Sequence, residues 1–300
     1  MELKQIHEDR AAAAAYLADA LQGLYAGAPS PAPLVGGREA GMTRLRVFNV
    51  ADYQARRNDV GPRAGASQLS PYIRHGCVSL RDAKRFALET IGASRATKFI
   101  QELAWRQFWQ LQWERDGDHI FSDMETPKVP LGDEDEIPED VLNADTGLNC
   151  MNSVSRSLHE TGYVFNHGRM WMASYLVHHR KVRWQTGADW FYQYLLDGDP
   201  ASNVLSWQWV ASTFSHKPYI FNRENVEKYS RDPETGETFC THCPAAHNGT
   251  CPFDFSYTEL GQRLFGRSYD GDNGYAERGT KGNSSFRRGG VAPRRSSTRG

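Results

Sequence analysis

The chain has 300 residues, of which 39% are hydrophobic, 24% charged and 12% aromatic, with a formal net charge of −1. This is globular composition with an aromatic surplus, eight Trp included, and it leaves room for one large domain or two small ones. The near-zero charge excludes whole-molecule attraction to nucleic acid, and no run approaches the roughly 18 to 20 apolar residues of a membrane span.

In chain order, residues 2–24 read as one helix, with Leu, Ala and Tyr at helical spacing. The segment lacks a basic leader, so it does not read as a signal peptide and the cytoplasm is the expected compartment. "APSPAP", Ala28 to Pro33, reads as a linker. Residues 38–58 look helical, with Leu45, Phe48 and Tyr53 on one side. Ser79 is placed to cap a helix from Leu80. "ATKFIQELAWRQFWQLQWERDG" predicts an amphipathic helix, with Phe99, Leu103, Phe108 and Leu111 at steps of three to five. "KVPLGDEDEIPED" predicts an acidic, proline-broken loop, and further helices are expected over 150–161, 166–181, 187–196 and 203–213. No segment alternates long enough to read as a strand. The expected fold is therefore all-α, ordered from about residue 2 to 260. Its expected parts are an N-terminal helix and linker (1–37), a helical domain (38–260) and a flexible basic tail (261–300). Residues 278–300 carry seven Lys or Arg and no acid: Arg278, Lys281, Arg287, Arg288, Arg294, Arg295 and Arg299. Such a tail either solubilises the chain or makes non-specific phosphate contacts.

The chemistry concentrates in "LLDGDPASNVLSWQW", Leu195 to Trp209. Asp197, Asp199 and Asn203 fit a loop and the first turn of a helix, where hydrogen-bond-rich ligands bind, with Trp207 and Trp209 one turn on. An ordinary Asp-capped loop with core tryptophans behind it is the plainer reading. Three neighbours weigh against it. "ASQLS", Ala66 to Ser70, suits a backbone-and-hydroxyl phosphate cradle. Glu102, Trp105 and Arg106 stand three and four apart on one helix face. "NHGRM" places Asn166, Arg169 and Met170 near a helix start, with His167 alone among the ten His inside such a motif.

Together these motifs resemble the flavin-binding helical domain of the photolyase and cryptochrome family, in chain order from about Arg38 to Asn222. The resemblance implies FAD held in a bent form, and light-driven electron transfer from reduced FAD to a pyrimidine dimer flipped out of UV-damaged DNA. It assigns Ala66, Ser67, Gln68, Leu69 and Ser70 to the FAD phosphates, with Tyr53 nearby. It places Arg106, Asn166, Arg169, Asp197 and Asp199 on the flavin, with Asn203 near its N5 atom. Glu102, Trp105 and Met170 would face the lesion. Trp207 and Trp184 match the inner and middle electron-transfer tryptophans, and Trp209 lies beneath the flipped base. Base extrusion is the general solution for chemistry on a stacked base, and aromatic platforms reward it by roughly 1–3 kcal/mol per stack. The sequence departs from the family in two ways. About 37 residues precede the match, so no antenna domain is expected and FAD itself absorbs the light. No Trp occurs over 114–170, so the outer electron-transfer tryptophan is missing, with Trp190, Trp171 or a tyrosine as substitutes.

Five Cys is an odd count, and three crowd into "CTHCPAAHNGTCPF" as Cys240, Cys243 and Cys251. In a reducing compartment that crowding favours a metal over disulfides. With Cys150 the pattern resembles the iron–sulfur branch of the family, implying a four-iron four-sulfur cluster on Cys150, Cys240, Cys243 and Cys251. Tetrahedral zinc is the alternative, with His242 or His247 able to complete it. Cys77 reads as a small buried hydrophobe. The expected activity is a light-driven DNA lyase acting as a monomer on a cyclobutane or (6-4) lesion. The alternatives are a blue-light photoreceptor without repair, and a helical protein with a zinc knot and an empty pocket.

Overall fold

A computed structural model of the chain describes residues 9–25, 32–61 and 64–266. The start of the expected N-terminal helix, most of the linker, and the basic tail with its seven cations lie outside the described residues. Helix α1 (Arg10–Ala20) starts at Asp9, whose carboxylate accepts from the Ala11 N–H. The helix expected over 38–58 is two pieces: α2 (Arg38–Val47) ends as Phe48 turns extended, and α3 (Tyr53–Arg56) resumes the coil. The three rings still meet, with Phe48, Tyr53 and Phe99 centroids 5.0–5.8 Å apart. A short α4 (Ser70–Arg74) follows.

The long α5 (Leu80–Asp116) starts at the expected Ser79, in a capping box with Asp82. It joins the two expected helices across a kink at Gly92, whose φ of 76° is open to glycine and rarely to other residues. A 3₁₀ turn (Gly117–Phe121), α6 (Glu139–Leu142) and α7 (Asn149–Thr161) come next. Helix α8 (Asn166–Ser174) stops short of the expected 181 and passes into a π-turn over Tyr175–His179. Helices α9 (Trp184–Tyr194) and α10 (Pro200–Ala211) each begin three residues before the expected start. For α10 the reason is Pro200 at its first position and Asp199 as its N-cap. Then come α11 (Arg223–Ser230), α12 (Pro244–His247) and α13 (Tyr257–Phe265), the last running across the boundary drawn at 260. Among the described residues there is no strand, only an isolated parallel bridge between Glu134 and Val182. No described helix is long and apolar enough to cross a membrane.

Helix α10 is the hub: it packs on α9, α5 and α8, and α8 packs on α7. The main core fills between them with Trp171, Met172, Leu176, Phe191 and Leu205. A second cluster, Leu45, Leu69, Val78 and Phe99 among it, ties α2 and α4 to α5. Leu195, at the start of the loop between α9 and α10, belongs to the main core.

The π-turn buries His178 completely. Its Nε2 lies 3.1 Å from the Val210 carbonyl, its Nδ1 has no partner, and burial lowers its pKa to about 3. The unfolded chain takes up this proton near pH 6.5, while the folded chain refuses it until far lower. Stability from the neutral ring is therefore complete above pH ~6.5 and lost as pH falls. His178→Gln should flatten the acid-side slope of unfolding free energy between pH ~6.5 and ~4.5 by about 1 kcal/mol per pH unit, read from urea titrations. Parallel slopes in the two proteins would contradict it.

Candidate functional site

The loop between α9 and α10 carries two carboxylates into the interior, Asp197 at 5% exposure and Asp199 at 6%. Charges buried this far require partners. Arg169, on the first turn of α8, donates from Nη2 to both oxygens of Asp197 at 3.0 and 2.8 Å. Burial works against the Arg169 charge, but the pull of Asp197 outweighs it and the guanidinium pKa rises. Gln110 of α5 donates from Nε2 to both oxygens of Asp199 at 2.8 Å, and Arg106, one turn earlier, stands 3.7 Å away. Asp199 also accepts from the Ser202 N–H at 2.8 Å, capping α10. The loop backbone is clamped from below: Arg74 donates to Gly198 O at 2.6 Å, and His75 Nε2 meets Leu196 O at 2.9 Å. Three helices, α4, α5 and α8, thus fix one five-residue turn.

The segment Ala66–Ser70 leads into α4 beside this loop. Gln68 adopts a left-handed φ of 56°, Ser67 Oγ accepts from Leu69 N at 3.3 Å, and Arg44 holds the Ser67 carbonyl at 3.0 Å. Leu69 is the segment's buried anchor. Ser70 hydrogen-bonds Tyr163, whose hydroxyl also feels Arg169 and Asp197; burial pushes its pKa up to about 12, so it stays a phenol. Tyr53 is raised further, by burial first and then by the charge of Glu102. Glu102 Oε1 is taken by Lys98 at 2.7 Å and Arg57 at 3.6 Å.

The remaining expected residues divide. Trp105 is 43% exposed and stacks on Trp109 at 5.3 Å, so it offers a ring to solvent. Asn166 is exposed, its amide directed at the half-buried Met170 sulfur at 3.4 Å. Asn203 donates to the Ala188 carbonyl at 2.7 Å, which bridges α10 to α9. Trp207 and Trp184 are buried, the latter donating from Nε1 to Asp123 at 2.7 Å. Trp209 is partly buried against Tyr219. The structure therefore brings Arg106 and Arg169 onto the carboxylates of one loop, and connects Ser70, Tyr53 and Glu102 to it through Tyr163. Sequence reasoning missed Gln110, Tyr163, Arg74 and His75. Only Gln110 left a signal, standing four residues after Arg106 on the same helix face. A surface groove of about 510 Å³, lined by Pro127, Lys128, Val129, Pro130, Leu131 and Phe265, shares no residue with this cluster.

All four expected metal-ligating cysteines are buried and free, and Cys150 opens α7 as expected. Cys77 is only half-buried, which corrects its expected burial. Burial first, then Cys240, Cys243 and Cys251 in turn, raises the Cys150 pKa, so the four thiols sense one another. Burial also pushes Cys240 up to about 12. Cys243 Sγ approaches Gly147 O at 3.6 Å and the Ala245 N–H donates to the same oxygen, docking the cysteine loop on the turn before α7. His242 pairs with Glu237 and His247 with the Thr241 carbonyl. Among the described residues, no group of three or more His, Cys, Asp or Glu is placed to hold a single metal ion.

Residues 99–248 match the family described as FAD binding domain of DNA photolyase, and the chain belongs to that family. It is 34% identical to a deoxyribodipyrimidine photo-lyase of Synechococcus, over 65% of this chain and 43% of the relative. It is 28% identical to a cryptochrome DASH of Natronomonas pharaonis, over 77% of this chain and 52% of the relative. Its fold is similar to the crystal structure of the Synechocystis cryptochrome, with a TM-score of 0.59 at 27% identity over 66% of this chain and 44% of that one. The chain spans about half the length of the curated relatives it matches.

Proposed function

We propose that this chain binds FAD on the loop Leu195–Asp199 and its flanks, and uses it to reverse UV-induced pyrimidine dimers in DNA with light. The observation that carries the reading is the pair of buried carboxylates, Asp197 paired with Arg169, and Asp199 held by the Gln110 amide with Arg106 3.7 Å away. Between Asp199 and Asn203, Ser202 Oγ is buried with no partner, an orphan that a flavin ring edge or ribitol would satisfy. Reduced FAD supplies a light-excited electron; the protein supplies binding, orientation and electrostatics. Asp197 and Asp199 hold the ring, with Arg169 and Arg106 tuning the field at it. Ala66 to Ser70 and Tyr53 line the phosphates. Glu102 and Met170 face the lesion, Trp105 offers its exposed ring to a flipped base, and Trp209 lies beneath it. Asn203 faces the reactive edge of the ring, and Trp207 and Trp184 relay electrons. The second reading, a blue-light photoreceptor without repair, is favoured by relatives named cryptochrome among the matches. Reduced protein under near-ultraviolet light is expected to restore dimer-containing DNA, and Glu102→Gln to slow restoration with flavin content unchanged. No reversal of cyclobutane or (6-4) lesions, with the flavin fully reduced and DNA saturating, would leave the photoreceptor reading.

We further propose that Cys150, Cys240, Cys243 and Cys251 ligate a four-iron four-sulfur cluster. The donor set fits, being four buried thiols that sense one another. Tetrahedral zinc, with Zn–S near 2.3 Å, needs sulfurs about 3.8 Å apart. Both nearby His are engaged elsewhere, His242 with Glu237 and His247 with the Thr241 carbonyl, which leaves an all-thiolate donor set of the kind a four-iron four-sulfur cluster takes. Anaerobically purified protein should hold about four iron and about four sulfide per chain. About one zinc and no iron would overturn the assignment.

A further inference from the structure

The Glu102 carboxylate is held from one side. Lys98, one turn earlier on α5, meets its Oε1 at 2.7 Å, and Arg57, at the C-cap of α3, meets the same oxygen at 3.6 Å. Oε2 stands outside either ion pair. A Lys and a Glu four apart on an open helix face would be an ordinary surface contact. Here the side chains of Lys98 and Arg57 are only 19% and 17% exposed, and the second cation comes from a different element. Among the described residues the cluster sets two cations against one carboxylate. Its charges reach the neighbouring elements. Burial raises the Tyr53 pKa, and the charge of Glu102 adds to it. Burial lowers the His167 pKa to about 4, and the charge of Arg57 adds to that. Three residues past Glu102 on the same helix face, Trp105 offers its exposed ring.

We propose that Lys98 is a positioning residue for the lesion: with Arg57 it aims Glu102 Oε2 at a ring N–H and sets positive charge where the lesion becomes negative. It rests on the reading that Glu102 and Trp105 face a flipped pyrimidine dimer. With Oε1 held on the cation side, the carboxylate presents Oε2, an acceptor only, to a donor such as the N3–H of a thymine ring. The lesion takes one electron from reduced FAD and carries one negative charge while the bonds joining its rings break. It then returns the electron, so the sum consumes no electron and no proton. A carboxylate alone beside that anion would oppose it. Two cations behind the carboxylate reverse the sign of the local charge. Because these groups are already paired, nothing has to reorganise at the moment the electron arrives.

The test is the quantum yield of dimer reversal by the full chain with its flavin reduced, at saturating dimer-containing DNA, so that a change in DNA affinity does not enter. Lys98→Met keeps the stem and removes the charge. It should lower the yield about tenfold, against about 10²–10³ for loss of a donor in direct contact, because Lys98 acts at one remove. Its flavin content, read by visible absorption, should match that of the unaltered chain. Lys98→Arg should restore most of the yield. Lys84→Met, which removes an exposed cation from the same helix, should leave the yield unchanged. A full yield in Lys98→Met overturns the assignment, and so does a loss that Lys98→Arg fails to restore. Loss of FAD or of helical circular dichroism in Lys98→Met would make Lys98 a structural residue and overturn it too. An unaltered chain that binds FAD and reverses no dimer overturns the lesion reading and this assignment with it.

Discussion

The arrangement depends on seating two carboxylates inside the protein with partners for both. Removing a buried partner leaves an uncompensated charge at a cost of about 3–5 kcal/mol, so the positions of Arg169, Arg106 and Gln110 follow from those of Asp197 and Asp199. Each of these partners comes from a different turn of α5 or α8. Satisfying both carboxylates fixes the distance between those helices and the loop. Arg74 and His75 add α4 to the same loop through its carbonyls. The polar cluster thus acts as the joint between the two apolar cores, and any cofactor it grips is positioned by all three helices at once.

Behind the joint, α9 and α10 pack unusually closely at Gly187, where the Trp207 ring takes the space a side chain would occupy. That contact holds Trp207 rigidly against Phe191, and Asn203 ties the same two helices through the Ala188 carbonyl. Rigid, dry packing of oxidisable rings beside buried charge suits electron movement, because little has to rearrange when the charge moves. The cysteine loop is docked separately, on the turn before α7.

Much of this was legible in the sequence where local chemistry decides the outcome. Ser79 with Asp82 announced the start of α5, and the motifs of the loop, α5 and α8 do converge. What failed was local competition between side chains and helix. The helix expected over 38–58 breaks because Asn49 bonds Asp52 at 2.8 Å and the Ala51 N–H at 3.2 Å, an Asx turn that apolar spacing hides. The end of α8 was missed because a π-turn keeps the helical periodicity of its apolar residues while shifting their register. Tyr163, Arg74 and His75 were unreadable for a different reason: their partners lie far along the chain, and only tertiary packing brings them together.

The account stands on Asp197 and Asp199 being the grip on the flavin. The most direct measurement is flavin content, by visible absorption of purified Asp197→Asn and Asp199→Asn proteins, with far-ultraviolet circular dichroism reporting the fold. The amides keep the shape of the loop but remove the charges that Arg169 and Arg106 oppose. Helical dichroism near that of the unaltered chain, with flavin absorption largely lost in both variants, is the predicted result. Full flavin occupancy in either folded variant would contradict it.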